Sequence, residues 1–165
     1  MYHSMAMGRF DAVIRRTYRA AAIVWPVILF SAPALLHSAA PGAGPLGVVV
    51  YLCGSVICHQ RPERSFALLG IQMPVCARCT GIYIGAAAAA LAASAGPKRS
   101  TRWPAWTIAL ASAMPSLATL VYEWTTGDMP SNLLRAAAGL PMGAIASWLV
   151  LAPSQVRYRV SGRVN

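Results

Sequence analysis

Four stretches of this chain are each about 20 residues long and almost free of charge, and they constrain the fold more than any other feature. They are Ala20–Ser38, Cys79–Gly96, Pro104–Tyr122 and Asn132–Leu151. An α-helix needs a run of this length to cross the hydrocarbon core of a bilayer. We therefore predict an all-α integral membrane bundle of four transmembrane helices, in one domain over residues 1–165.

A fifth apolar stretch, Leu46–Cys58, is too short for an ordinary crossing. Its length of about 13 residues favours a re-entrant or interfacial segment. If it does not cross, ten of the 14 Lys and Arg residues lie on the cytoplasmic side and three outside. If it does cross, the counts are seven and six. Because cytoplasmic loops carry the excess of basic residues, the first arrangement is favoured.

This arrangement predicts a multi-pass protein of the inner, cytoplasmic membrane with both termini in the cytoplasm. Residues 1–19 and 152–165 become cytoplasmic basic tails, and residues 46–78 form a re-entrant segment and loop at the outer face. The formal net charge of +10 then belongs to loops that flank spans. Since no surface motif combines aromatic and basic residues, we expect lipid, and other membrane subunits as a further option, but no nucleic acid, as partners.

All four cysteines fall between positions 53 and 79, together with His59. Cys76 and Cys79 are three apart just after Pro74, a residue that suits a helix start, so both sulfurs share one face of the first turn. A helix N-terminus and the charge of Arg78 favour the thiolate form. Three thiolates and one imidazole are a recognised zinc set. We therefore predict a metal ion, zinc first and iron second, with these ligands: Cys58, His59, Cys76 and Cys79.

Two alternatives remain open from the residues alone. The four thiols also form two close pairs, Cys53/Cys58 and Cys76/Cys79, which would suit a thiol–disulfide relay to quinone. The second alternative is a static disulfide or metal staple that fixes a membrane loop in a structural subunit. The sequence leaves open whether the protein is an enzyme.

Polar residues around the cluster are predicted to support the site or bind its substrate: Gln60, Arg61, Glu63, Arg64, Ser65, Arg78, Asn132 and Arg135. Arg135 enters an apolar span, where an arginine pairs with an acid or an anionic group. Glu123, Glu63 and a lipid phosphate are the candidates. We expect Asn132 and Arg135 to position a lipid headgroup or quinone beside the metal.

Small residues recur four apart in two of the spans, a spacing that lets helices approach closely. They are Gly81 and Gly85, then Gly139 and Gly143. An ordinary Ala/Gly-rich bundle would show the same spacing, and we take that as the simpler interpretation.

Two motifs, followed by a later one, resemble a family of small predicted membrane proteins of bacteria and archaea, domain-of-unknown-function family 2085. The motifs are Cys58-His-Gln-Arg-Pro-Glu-Arg-Ser-Phe66, Pro74-Val-Cys-Ala-Arg-Cys-Thr-Gly81, and Ser131-Asn-Leu-Leu-Arg135 with Gly139 and Gly143. The resemblance covers about Val48 to Val150. It implies that the shared pattern includes Cys58, His59, Cys76, Cys79, Asn132 and Arg135.

The resemblance also implies two differences. Cys53 is not part of the shared pattern, which counts against a relay of two disulfides. Family members often carry an acid after the proline that corresponds to Pro115, but here the stretch is Ser116-Leu-Ala-Thr119. Glu123 is the candidate replacement.

Overall fold

The computed structural model describes residues 2–95 and 103–151, with side chains over 10–93 and 103–151. Over these residues the chain forms five α-helices and one small hairpin, which confirms the all-α membrane class. The elements in order are α1 (Tyr2–His37), α2 (Ala43–Ile57), a 3₁₀ turn (Pro62–Arg64), β1 (Ser65–Leu68), β2 (Ile71–Cys76), α3 (Ala77–Ala95), α4 (Ala105–Thr126) and α5 (Asn132–Leu151).

Three of the described helices are long and apolar enough to cross a membrane: Phe10–His37 within α1, Ala105–Thr126 and Asn132–Leu151. They match three of the four predicted spans. The remaining predicted span, Cys79–Gly96, corresponds to α3, which is apolar but shorter over its described stretch Ala77–Ala93. The helix α2 is also short and apolar and matches the predicted fifth segment.

The structure describes most of the first predicted basic tail and none of the second. The residues predicted as a basic tail, 1–19, are continuous with the first span, because α1 already begins at Tyr2. The predicted tail 152–165 and the basic loop with Lys98, Arg99 and Arg102 lie outside the described residues.

Helices α3 and α5 run parallel and touch backbone to backbone. A Cβ added at any of four glycines would overlap a carbonyl of the facing helix: Gly81 with Ala136, Gly85 with Leu140, Gly139 with Arg78 and Gly143 with Ile82. The specific contact, rather than a generic Ala/Gly-rich bundle, therefore explains the spacing seen in the sequence. It also places the first turn of α3 beside the first turns of α5.

The other two long helices run in the opposite direction. Ser116 of α4 donates a hydrogen bond to the carbonyl of Ala138 in α5 (2.9 Å), while Glu123 further along α4 meets Arg135 near the start of α5. At the far end of the bundle, Arg15 of α1 donates to the carbonyl of Leu151, the last residue of α5 (3.2 Å). Helices α3 and α5 therefore begin at the same end of the bundle.

Helix α2 folds back against α1 instead of leading away from it. Gly47 lies against Leu36, and Val50 shares a buried apolar cluster with Leu29 and Ala32. The same cluster includes Cys58, the residue directly after α2. The chain therefore reaches the buried interior at the point where α2 ends.

The hairpin, which was not predicted, carries the chain from α2 to α3. Its strands are antiparallel, and Leu69 and Gly70 form the two-residue turn with φ of 55° and 75°. Such a turn needs positive φ at both central residues, and glycine supplies the second at no steric cost. Strand β2 ends at Cys76 and α3 begins at the next residue, so the hairpin sets the position of the cysteine pair.

Substitution of Gly143 by Ala tests the helix contact. The new methyl group would meet the backbone of Ile82, which cannot move aside as a side chain can. Overpacking of this kind costs about 1–3 kcal/mol of stability. We expect a lower thermal midpoint for the G143A protein in detergent. Gly44→Ala is the matched control, because Gly44 is helical with open space around it; equal midpoints for the two variants would contradict the contact.

Candidate functional site

Three cysteines from three different elements meet at one point. Cys58 follows α2, Cys76 ends β2 and Cys79 lies in the first turn of α3. Their sulfur atoms all lie within 4.8 Å of one another. Cys58 and Cys76 are buried and Cys79 is half-buried. Metal–sulfur bonds of about 2.3 Å in a tetrahedron place sulfurs about 3.8 Å apart, so small side-chain rotations would bring these three onto one ion.

Hydrogen bonds in the cluster favour a negative charge on the sulfur of Cys76. The backbone N–H of Cys76 donates to the sulfur of Cys58 (3.1 Å). A side-chain hydrogen bond with Cys79 lowers the pKa of the Cys76 thiol to about 5, in spite of the opposing effect of burial. A hydrogen bond with Cys58 and the charge of His59 act in the same direction. The thiolate is the form of cysteine that binds metal and attacks disulfides, so this pattern suits either chemistry.

His59 lies next to the cluster but not within it. Among the described residues, the group of side chains close enough to share an ion contains the three cysteines and not His59. The His59 side chain is exposed and lines a cavity together with Cys76. The structure thus brings together three of the four predicted ligands and places the fourth at the rim of the adjoining space.

Cys53 lies apart from the other cysteines. It is exposed on α2, whose buried positions are Gly47, Val50 and Gly54. Among the described residues, the group of sulfurs that lie within 4.8 Å of one another does not include Cys53. The first of the two pairs considered for a thiol relay is therefore not formed.

The cavity beside the cluster is lined almost entirely by charged or ionisable side chains. It is a partly open cleft of about 240 Å³, a volume that includes space open to solvent, and its lining residues are His59, Arg64, Cys76, Arg78, Glu123 and Arg135. The lining comes from the loop after α2, the hairpin and three helices. The parallel packing of α3 on α5 explains why Arg78 and Arg135 reach the same space.

Glu123 is the acid that pairs with Arg135. One carboxylate oxygen accepts a hydrogen bond from Arg135 (2.9 Å) and the other pairs with Arg64. The side chains of Arg135 and Glu123 are only 3% and 9% exposed. Of the three candidates that the sequence offers for Arg135, the structure selects this one. The carboxylate therefore joins the 3₁₀ turn that precedes the hairpin to α4 and α5.

Arg78 faces α4 and bonds to a neutral group. Its guanidinium donates to the hydroxyl of Thr119 (3.0 Å), within the stretch in which this chain lacks an acid. Thr119 belongs to a buried face of α4 that is polar throughout, and sequence reasoning missed this face. Its spacing would have revealed it, since four polar residues recur along one side of an apolar span: Ser112, Ser116, Thr119 and Glu123.

Several predicted supporting residues hold the hairpin in place. The Gln60 amide donates to the carbonyls of Tyr51 (2.8 Å) and Pro74 (2.7 Å), and so ties α2 to β2. Buried Ser65 donates to the carbonyl of Arg61 (2.8 Å) and accepts a hydrogen bond from Asn132 through its own carbonyl (2.9 Å).

The remaining predicted supporting residues, Arg61, Glu63 and Asn132, do not line the cavity. The side chains of Arg61 and Glu63 are exposed, and neither belongs to the cavity lining. Asn132 lies at the start of α5 and reaches the hairpin backbone, so its contact differs from the predicted one with an anionic group.

The chain belongs to a family of predicted membrane proteins. Residues 58–149, more than half of the chain, match the family DUF2085, whose description is "Predicted membrane protein". The family predicted from the motifs is thereby confirmed. The match begins at Cys58, so it contains the three clustered cysteines, His59 and the lining arginines, and it leaves Cys53 outside.

Two archaea have similar proteins. An uncharacterized protein of Methanothermobacter thermautotrophicus is 38% identical over 87 residues, which cover 53% of this chain and 78% of that protein. The uncharacterized protein MJ1492 of Methanocaldococcus jannaschii is 52% identical over 40 residues, or 24% of this chain and 26% of that protein. No solved structure matches the chain.

Substitution of Glu123 by Gln tests the buried ion pairs. The change keeps the shape but leaves Arg135 buried without a counter-charge, and removing one partner of a buried pair costs about 3–5 kcal/mol. We expect a marked fall in thermal midpoint, measured on purified protein in detergent. Glu63→Gln removes the same charge from an exposed residue and should change stability by less than about 0.5 kcal/mol. Similar losses in both variants would count against the central role of Glu123.

Proposed function

We propose that this membrane protein holds a thiophilic metal ion, zinc first and iron second, through Cys58, Cys76 and Cys79. The observation that carries the proposal is the approach of three sulfurs within 4.8 Å in a largely buried setting. Several thiolates so close together repel one another and lose their hydration, and a divalent cation compensates both effects. Three thiolates with one nitrogen or oxygen ligand form a known tetrahedral set.

The fourth ligand position is the key to the type of site. A fourth protein ligand makes a zinc site structural, whereas a position left to water or substrate makes it catalytic. His59 is the predicted fourth ligand and lines the cavity next to Cys76. Because the cluster borders a cavity with charged walls, we favour a functional metal site, in a metalloenzyme or a metal-dependent subunit, over a structural metal that only fixes the loop.

The proposed topology has four spans, both termini in the cytoplasm and the cluster near the outer face of the cytoplasmic membrane. Helix α3 runs parallel to α5 and in contact with it, which supports a crossing of α3 beside α5. The basic N-terminal residues precede the first span, and Arg15 contacts the end of the bundle opposite the cluster. Alkaline phosphatase inserted after Gly127 should be active outside the cell, and an inactive insertion there would contradict this orientation.

Thiol–disulfide exchange is the second candidate. The sulfurs of Cys76 and Cys79 lie close enough to interact, and the Cys76 thiol is acidified by that contact. Oxidation of the two thiols to a disulfide would release two electrons and two protons, which a quinone could accept. Only one cysteine pair takes part in this version, since Cys53 lies elsewhere.

Metal analysis of the purified protein separates the two candidates. We expect about one zinc or iron ion per chain, lost in Cys76→Ser because one thiolate ligand is removed. Cys53→Ser is the matched control and should keep the metal, because Cys53 is exposed and outside the cluster. If the wild-type protein contains no metal and its cysteine pair is oxidised and reduced reversibly, that result would contradict the metal site and support the redox function.

A further inference from the structure

The cavity beside the cysteine cluster carries more positive than negative charge. Three arginines line it, but Glu123 provides its only carboxylate among the described residues. Each oxygen of that carboxylate already pairs with one arginine, Arg64 or Arg135. Arg78 makes its hydrogen bond to the neutral hydroxyl of Thr119 instead. One half-buried guanidinium, that of Arg78, therefore has no acid as its partner within the described structure.

The cysteine cluster does not remove this imbalance. The three arginines exceed Glu123 by two charges. A divalent ion with three thiolates contributes one negative charge, and so does a metal-free cluster with one thiolate. One positive charge remains in either state. An uncompensated charge near membrane depth is costly and usually marks a ligand site.

The arginines also have hydrogen-bond donors to spare. The Nε atoms of Arg64, Arg78 and Arg135 are buried and have no hydrogen-bond partner within the described residues. Arg135 is the deepest of the three at 3% exposure, whereas Arg64 is 23% exposed. The cavity thus has a buried cationic floor and a more open rim at Arg64 and His59. A ligand that enters from this rim would meet donors from three elements.

We propose that this cavity binds an oxyanion of the phosphate class through Arg64, Arg78 and Arg135. The planar guanidinium presents several donors in a fork that matches phosphate oxygens, and three such groups converge here. The anion would lie beside Cys76 and His59, next to the proposed fourth ligand position. The phosphate group belongs either to a free anion or to a lipid headgroup. The proposal goes beyond the metal site and does not depend on it, since the charge excess exists with or without the ion.

Titration with inorganic phosphate tests the proposal on the full-length protein, delipidated in an uncharged detergent. Isothermal titration calorimetry should show one site per chain. Arg78→Gln should weaken binding at least about tenfold, because a charge-assisted hydrogen bond is lost. Arg61→Gln is the matched control: it changes the net charge equally, but Arg61 is exposed and outside the lining. Arg64→Gln provides a second variant if Arg78→Gln does not fold.

Native mass spectrometry from bilayers with phosphatidylglycerol distinguishes the two sources of phosphate. One tightly bound phosphatidylglycerol per chain, lost in Arg78→Gln but kept in Arg61→Gln, identifies a lipid headgroup. Phosphate binding that is unchanged by phosphatidylglycerol identifies a free anion. The proposal is overturned if wild type binds neither, or if the two variants bind alike. The metal content of Arg78→Gln should equal that of wild type, so this test and the metal test fail independently.

Discussion

The close parallel contact between α3 and α5 is the constraint on which the rest of the structure depends. Four glycines let the two backbones touch, and any larger residue there would push the helices apart. This contact places Arg78 and Cys79, at the start of α3, beside Arg135 at the start of α5. Glu123 then neutralises Arg135 and draws in Arg64 from the hairpin side. The charged cavity is therefore a consequence of this helix packing, and the hairpin that ends at Cys76 places the cysteine cluster beside it.

The sequence predicted those parts of the molecule that local composition determines. Apolar runs of span length predicted the helices, and the spacing of Cys76 and Cys79 placed them on one face of a helix start. It did not predict the hairpin, whose β1 strand has only four residues and whose register depends on a two-residue turn. Glu123 lies twelve residues from Arg135 and pairs with both Arg135 and Arg64. The local sequence pattern could not predict the second pairing, because it depends on tertiary packing.

The cluster and the cavity together suggest how the site works. In the proposed function, thiolates and a metal ion would concentrate charge at the end of the bundle, and the arginines would bind an anion next to it. An anion that is held there would lie against the side of the cluster that His59 borders. Gln60 and Asn132, which were expected near the ligand, instead fix the hairpin through backbone carbonyls. Their role in the site is thus to hold Cys76 and Arg64 in position.

X-ray absorption at the metal edge of the purified protein tests the central claim most directly, because it counts the sulfur atoms around the ion. The proposed site predicts three sulfur neighbours at about 2.3 Å and one lighter nitrogen or oxygen neighbour. Cys53→Ser should leave the spectrum unchanged, since Cys53 is exposed and does not belong to the cluster. Four sulfur neighbours would require Cys53 in the site, and a shell of nitrogen and oxygen alone would contradict a thiolate centre.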